Sequence, residues 1–205
     1  MRVESIRYRS LDYFLRDAIE GLLPEGVFPP TLYFDTNVFL DIIDNRDSNS
    51  LNLYRYAYQR KWQCVTSIFA KVEVLEVKQI HQFRREKQQV NWSNKRIKSE
   101  LHKRDLSTRM LGNISRSLTA RLKSIYEGFT QYSCLVETGW VKVEEIKRKT
   151  NLTDKDSIHL AEALAIACDL FISRDDFLLE IAKRYIWAER PDSVIEILKS
   201  VGGQI

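Results

Sequence analysis

The sequence predicts an α/β protein built around a parallel β-sheet. Short apolar segments rich in β-branched and aromatic residues alternate with longer segments of helical periodicity. This alternation is typical of a parallel sheet covered by helices on both faces. A length of 205 residues and an apolar fraction of 44% suffice for one domain with a substantial core. We therefore expect a single domain over residues 1–205.

The N-terminal part of the chain predicts an extension followed by strand–helix units. A helix over 11–22, preceded by Ser10, makes residues 1–30 a helical extension that ends in proline- and glycine-containing turns. The next elements are a strand over 32–34, a helix over 36–43, a polar loop over 44–49, a helix over 51–61, a strand over 63–66 and a long helix starting at Thr66 or Ser67.

The C-terminal part repeats the same alternation. Residues 140–143 alternate like a strand, and Thr153 with Asp156 resembles a capping box at the start of a helix over 157–167. Pro191 suits the first turn of a terminal helix. The elements between them are a strand over 169–173, a helix over 176–185 and a strand over 186–188.

Residues from about 84 to 129 predict a basic helical arm inserted into the domain. Between Arg84 and Lys123 there are 12 Lys and Arg residues against three acids, a local charge of +9. The chain carries +4 in total, so the remainder carries −5. After Ser93, a suitable cap, apolar residues recur mostly every four positions from Ile97 to Ile125, as on one face of a helix that bends or splits at Gly112. We expect an antiparallel helical hairpin.

The cations of this arm are candidates for phosphate contact, and Trp92 near its tip is a candidate for stacking on a base. The alternative is a solvated arm whose apolar stripe packs on itself, on a protein partner or on a second subunit. The predicted nucleic-acid contacts in the chain are Lys95, Arg96, Lys103, Arg104 and Arg174.

Acidic side chains follow two predicted strands directly. Asp35 ends the first strand and Asp175 follows the strand over 169–173. Ligands of open α/β sheets bind at the carboxyl ends of strands. Asp156 at a helix start and Glu73 in the long helix can reach the same edge. Converging carboxylates repel unless a cation holds them, and oxygen ligands without His or Cys favour Mg²⁺ or Mn²⁺. Metal-assisted phosphodiester hydrolysis is the chemistry that such a site favours.

Four ordered motifs resemble those of PIN-domain ribonucleases. They are Phe34-Asp35-Thr36-Asn37, Ser67-x5-Glu73, Asp156-Ser157-Ile158-His159-Leu160-Ala161 and Ile172-Ser173-Arg174-Asp175-Asp176-Phe177. The resemblance implies a three-layer α/β/α sandwich and an endoribonuclease that cuts single-stranded RNA to leave a 5′-phosphate and a 3′-hydroxyl. It implies Asp35, Glu73, Asp156 and Asp175 as catalytic metal ligands, with Asn37 and Ser173 in support. Toxins paired with a protein antitoxin are a familiar role of the family.

Each assignment has an alternative. Asp35 and Asp175 also suit helix N-caps, Asp154 competes with Asp156, and Glu76 competes with Glu73. His159 is expected to be packed or hydrogen-bonded rather than a ligand. The alternative function is a catalytically silent PIN-like module that binds RNA or protein. An aspartyl phosphatase ranks low because position 37 is Asn rather than a second acid.

The remaining features predict a cytoplasmic protein. Charged residues interrupt the N-terminus, so no signal-peptide core is expected. The apolar stretch over 163–172 contains Asp169 and is too short to cross a bilayer. Cys64, Cys134 and Cys168 are scattered, which favours free thiols in a reducing compartment. The expected partners are RNA, a protein inhibitor or antitoxin, or a second copy of the chain, and no membrane.

Overall fold

The computed structural model describes residues 10–102, 106–126, 129–132 and 137–203. The chain divides into two compact units, residues 1–68 with 128–205 and residues 69–127. The first unit carries the β-sheet, and the second carries the helices of the basic arm. Within the described residues no helix has both the length and the apolar character needed to cross a membrane.

The first unit contains a five-stranded sheet. Its strands are β1 (Thr31–Phe34), β2 (Gln63–Ser67), β3 (Phe129–Tyr132), β4 (Leu170–Ile172) and β5 (Trp187–Glu189). Their order is β3-β2-β1-β4-β5, and all neighbours pair in parallel. The α/β class with a parallel sheet is therefore confirmed. Since Phe34 pairs with Ile172, β1 and β4 end side by side.

Ten helices are described. They are α1 (Leu11–Glu20), α2 (Thr36–Asp44), α3 (Ser48–Gln59), α4 (Ile68–Gln89), α5 (Asn94–Glu100), α6 (Thr108–Tyr126), α7 (Glu137–Lys149), α8 (Asp154–Ala165), α9 (Asp176–Ala182) and α10 (Pro191–Ser200). Most follow the predicted bounds within a few residues. As predicted, α10 begins at Pro191, and the Thr153 hydroxyl accepts from the Asp156 N–H at the start of α8.

The core of the first unit explains why its strands read as continuous apolar runs. All four residues of β1 and all three of β4 are buried, as expected for central strands covered on both faces. The rings of Tyr33 and Phe171 stack across the two strands with centroids 5.4 Å apart. The helix α1 joins this unit, because Leu11, Phe14 and Leu15 are buried and Phe14 lies 5.5 Å from the Trp187 ring.

The strand predicted over 140–143 is wrong. These residues lie within α7, which buries Val143 and Ile146 and exposes Trp140 and Val141. A spacing of three between the buried residues fits a helix, and ion pairs from Lys142 and Lys149 to Glu145 support it. The strand β3, which pairs Phe129 with Cys64, was not predicted.

The second unit has its own small core. Phe83, Ile97 and Leu106 are buried together, with Trp92, Leu101, Met110 and Ile114 packed against them. The apolar stripe therefore packs within the arm, as one of the alternatives predicted. Ser93 caps α5 as expected, by accepting from the Arg96 N–H.

The predicted split of the arm helix at Gly112 is wrong. The described chain leaves α5 after Glu100 and re-enters helix at Thr108, and Gly112 lies inside α6. Both Leu101 and Leu106 join the arm core.

Candidate active site

Asp35 lies where β1 passes into α2, and it is 5% exposed. Its Oδ1 accepts from the Thr36 N–H at 2.7 Å, and its Oδ2 accepts from Ser173 Oγ at 2.7 Å. Asp35 is therefore the N-cap of α2, the role that the sequence also allowed as an alternative to metal binding. Each carboxylate oxygen has a further lone pair beyond these bonds, so the cap does not exhaust its capacity as a ligand.

Ser173, which is fully buried, connects the two strand ends. Its hydroxyl donates to Asp35 Oδ2 and accepts from Asn37 Nδ2 at 3.2 Å and from the Asp175 N–H at 3.0 Å. Asn37 Oδ1 accepts from the Arg174 N–H at 3.1 Å. These bonds join residues that lie more than 130 positions apart in the sequence and bring Asp35 and Asp175 to one edge of the sheet.

Asp175 is also a helix cap, since its Oδ1 accepts from the Leu178 N–H at the start of α9 at 2.9 Å. Asp156 is the third residue of α8, and its Oδ2 accepts from the Thr153 hydroxyl at 2.7 Å. Asp154 instead pairs with Lys147.

The electrostatics of the site favour a cation. Burial raises the pKa of Asp35 above its usual value. The neighbouring His159 and the hydrogen bonds from Ser173 and Thr36 oppose this shift, and the charge of Asp156 adds a smaller upward shift. A positive ion would relieve the cost of keeping this carboxylate ionised. Because the charge of Asp156 acts on Asp35, the geometry favours Asp156 over Asp154 as the site residue.

A divalent cation fits the chemistry of these donors. The described residues contain no group of three or more His, Cys, Asp and Glu side chains placed to hold a metal. Mg²⁺, however, is commonly held by one or two carboxylates and completes its shell with water and substrate phosphates. Carboxylate, hydroxyl and amide oxygens are the hard donors that Mg²⁺ and Mn²⁺ prefer.

The predicted fourth carboxylate belongs to the other unit. Glu73 and its competitor Glu76 are both partly exposed residues of α4, in the unit that begins at Phe69. The residues described above at the ends of β1 and β4 belong to the first unit. The assignment of Glu73 stays a prediction from the sequence.

A buried polar network lies behind Asp35. Tyr33 Oη lies 2.9 Å from His159 Nδ1 and donates to Glu162 Oε2 at 3.1 Å. His159 Nε2 lies 3.0 Å from Thr36 Oγ1, so the expectation of a hydrogen-bonded histidine is confirmed. Sequence analysis missed Tyr33 and Glu162; the phenol inside an otherwise apolar strand was the available signal.

Arg174 contacts a second buried acid that the sequence analysis missed. Its guanidinium lies 2.9 Å from Asp41 Oδ2, and the side chain of Asp41 is only 3% exposed. Burial raises the pKa of Asp41, and Arg174 opposes that shift. Arg190 donates to the Arg174 carbonyl and pairs with Asp176. The loop after β4 is thus held from both sides, with the Arg174 head group partly exposed.

The arm residues predicted to contact nucleic acid are only partly described. Lys95 and Arg96 are exposed on α5, whereas Lys103 and Arg104 lie outside the described residues. The Arg96 guanidinium stacks 3.9 Å from the centre of the Trp92 ring, which also packs on the arm core. A groove of about 360 Å³ in this unit is lined by Arg84, Gln88, Asn94, Ile97 and Lys98.

Comparisons with known proteins do not assign the chain to a family. No protein-family model matches it, and no curated protein matches it. Functional assignment therefore depends on the four sequence motifs and on the geometry at the ends of β1 and β4.

Proposed function

We propose that this protein is a PIN-like, metal-dependent endoribonuclease that hydrolyses phosphodiester bonds of single-stranded RNA. The observation that carries the proposal is the junction at Ser173, where two acids from adjacent parallel strands meet at the carboxyl edge of the sheet. A strand-end carboxylate that is buried, raised in pKa and adjacent to a second acid is typical of a functional site.

In this proposal Asp35, Asp156 and Asp175 would hold Mg²⁺ or Mn²⁺. Ser173 orients Asp35 through its hydroxyl, and Asn37 ties the Arg174 backbone to the same edge. A divalent ion held there would supply Lewis-acid activation of a phosphodiester. Arg174, held by Asp41, offers a partly exposed guanidinium for a substrate phosphate.

RNA as the substrate is supported by the charge of the arm. A segment with +9 attracts a polyanion, and the groove on the arm adds Arg84 and Lys98 beside two amide side chains. Trp92 is held by Arg96, so we assign it to supporting that guanidinium rather than to stacking on a base. An antitoxin-like inhibitor and a cytoplasmic location remain predictions from the sequence.

The test is cleavage of a single-stranded RNA in Mn²⁺ by the full chain. Asp35→Asn should lower the rate by about a hundredfold or more, because its carboxylate holds the ion. Asp47→Asn is the matched control: Asp47 also caps a helix and accepts from a serine hydroxyl at 2.7 Å, but it follows no strand. Equal rates for the parent chain and Asp35→Asn would refute the proposal.

The arm is tested separately by the salt dependence of RNA affinity, measured without divalent metal so that cleavage does not interfere. Replacing Lys95 and Lys98 with Gln should reduce the slope of log affinity against log salt by about 0.7 for each phosphate that the variant no longer neutralises. Lys199→Gln in α10 is the control, as another exposed cation near a helix end. A slope unchanged from that of the parent chain would remove the arm from the RNA-binding surface.

The alternative is a catalytically silent module that binds RNA or protein. It is favoured by the cap bonds that Asp35 and Asp175 make and by the lack of a three-residue metal group among the described residues. RNA binding with salt dependence but without Mn²⁺ binding or cleavage would identify the silent module.

A further inference from the structure

We propose that the groove on the arm holds one nucleotide of single-stranded RNA, with a phosphate between Arg84 and Lys98 and a base edge against the side-chain amides of Gln88 and Asn94. The inference rests on the proposed function for the class of ligand, RNA. It does not rest on hydrolysis, because the groove belongs to the second unit and the acids at the strand ends belong to the first.

The groove forms where α4 gives way to α5. The N–H groups of Asn91 and Trp92 donate to carbonyls in the last turn of α4 at 3.0 Å, and Asn91 has a φ of 61°. Beyond this turn Ile97 is buried with Phe83, so the first turns of α5 lie against the last turns of α4. The two helices form the walls of the groove, and Ile97, which is 3% exposed, lies between them.

Four polar side chains line the groove in two pairs. Arg84 and Gln88 are four positions apart on α4, as are Asn94 and Lys98 on α5, so each pair spans about 6 Å of one helix face. Gln88 Nε2 donates to Asn94 Oδ1 at 3.5 Å across the groove. The amides therefore meet at the end near the turn, and the two cations line the other end.

The cationic end suits a phosphate. Arg84 and Lys98 are exposed, and neither forms an ion pair with another residue in the part of the chain that the structure describes. The neighbouring cations Lys87 and Arg96 differ, because they lie over the Trp92 ring at 5.0 and 3.9 Å. A guanidinium and an ammonium on opposite walls can hold one phosphate between them, the guanidinium with two donors and the ammonium as a point charge.

The amide end suits the edge of a base. The bond between Gln88 and Asn94 uses one amide N–H and one amide oxygen, which leaves at least one donor and one acceptor side by side. Reversing both amides leaves the same pair of free groups. Unpaired nucleobases are read on edges that offer a donor beside an acceptor, and Asn and Gln side chains are common partners of such edges. A second phosphate at this end is the competing interpretation.

The amide end is tested by fluorescence anisotropy with two labelled probes, an oligouridylate and an abasic oligomer of the same length, and the full chain without divalent metal. Gln88→Ala should weaken binding of the oligouridylate by about tenfold and leave binding of the abasic oligomer unchanged. Gln89→Ala is the matched control, since Gln89 is also exposed but does not line the groove. Equal losses for the two probes, or no loss for either, would overturn the assignment of a base to this end.

The cationic end is tested by the salt dependence of the same binding. Arg84→Gln should weaken binding of both probes and reduce the slope of log affinity against log salt by about 0.7, the value for one phosphate of a single strand. Arg85→Gln removes the same charge from the next residue, which is exposed outside the groove, and should reduce the slope less. Equal slopes in the two variants would show diffuse attraction by the arm and would overturn the phosphate site.

The outcomes separate this inference from the proposed function. If the probes bind with these differences but the chain cleaves no RNA in Mn²⁺, the nuclease proposal fails and the nucleotide site stands. If the chain cleaves RNA but Gln88→Ala binds both probes as the parent chain does, the nucleotide site fails and the nuclease proposal stands.

Discussion

The hydroxyl of Ser173 offers the sharpest perturbation of the candidate site. Ser173→Ala removes one buried oxygen that serves Asp35, Asn37 and Asp175 at once. We expect the variant to fold, because the β1–β4 ladder and the bond from the Asp35 N–H to the Ile172 carbonyl remain. The position of the Asp35 carboxylate, however, loses its link to the second strand end.

The magnitude follows from the type of hydrogen bond that is removed. A hydroxyl donating to an ionised carboxylate contributes about 1.5–3 kcal/mol, and the two amide donors left behind sit at a rim that water can reach. We therefore expect the free energy of unfolding to fall by about 2 kcal/mol, or the Tm by about 4–8 °C in a chain of this size. Removal of this donor should also raise the pKa of Asp35 further, since the Ser173 bond holds it down.

The assay pairs urea unfolding with calorimetric titration of Mn²⁺. Ser50→Ala is the matched control, because Ser50 is equally buried and donates to Asp47 at the same 2.7 Å. Both variants should lose similar stability, but only Ser173→Ala should weaken Mn²⁺ binding, by about tenfold or more. Equal Mn²⁺ affinity in the two variants, or parental stability in Ser173→Ala, would show that the Ser173 hydroxyl does not hold Asp35 in place for an ion.

Three further predictions concern other parts of the molecule. Arg174→Ala should lower the free energy of unfolding by about 1–2 kcal/mol at neutral pH, because it leaves the buried Asp41 carboxylate without its partner. The loss should shrink as the pH falls through the raised pKa of Asp41, and urea unfolding of both proteins over a range of acidic pH tests this. Burial raises the pKa of the Cys64 thiol from 9.0 to about 12. The stability that the neutral buried thiol contributes should therefore be lost as the pH rises between those two values. Urea unfolding of the parent chain and of Cys64→Ala across this pH range measures the loss. Ile97→Ala should destabilise the arm core by about 2–4 kcal/mol. Hydrogen exchange of the backbone amides should then become faster in α5 but not in β1. Unchanged protection of the amides in both α5 and β1 would contradict an arm core that is stabilised by Ile97.

Elements with strong local signals were predictable from the sequence. The strand before Asp35, the helix that begins at Thr36 and the helix that begins at Pro191 each carry their start signal within a few residues. The acids at the ends of β1 and β4 were predictable for the same reason, because the residue after a buried parallel strand lies at the edge of the sheet.

Elements that depend on distant partners were not predictable. The strand β3 is four residues long and is defined by its pairing with β2, more than sixty residues earlier. Over residues 140–143 the apolar pattern fits both a strand and a helix, and the burial of Val143 and Ile146, three positions apart, identifies the helix.

The side-chain network of the site shows the same limit. Tyr33 lies in an apolar strand, and its polar partners lie on α8, more than 120 positions later. Asp41 sits within the apolar run of α2, and nothing nearby in the sequence indicates that Arg174 is its partner. Sequence patterns locate the acids that end strands, but the groups that support them come from tertiary packing.

Calorimetric titration of Mn²⁺ into the metal-free full chain measures whether the carboxylates at the ends of β1 and β4 hold a divalent ion. We expect saturable binding to the parent chain and to Asp47→Asn, and an affinity at least about tenfold weaker in both Asp35→Asn and Asp175→Asn. Binding of equal strength in all four proteins, or no binding to the parent chain, would show that these carboxylates do not hold the ion.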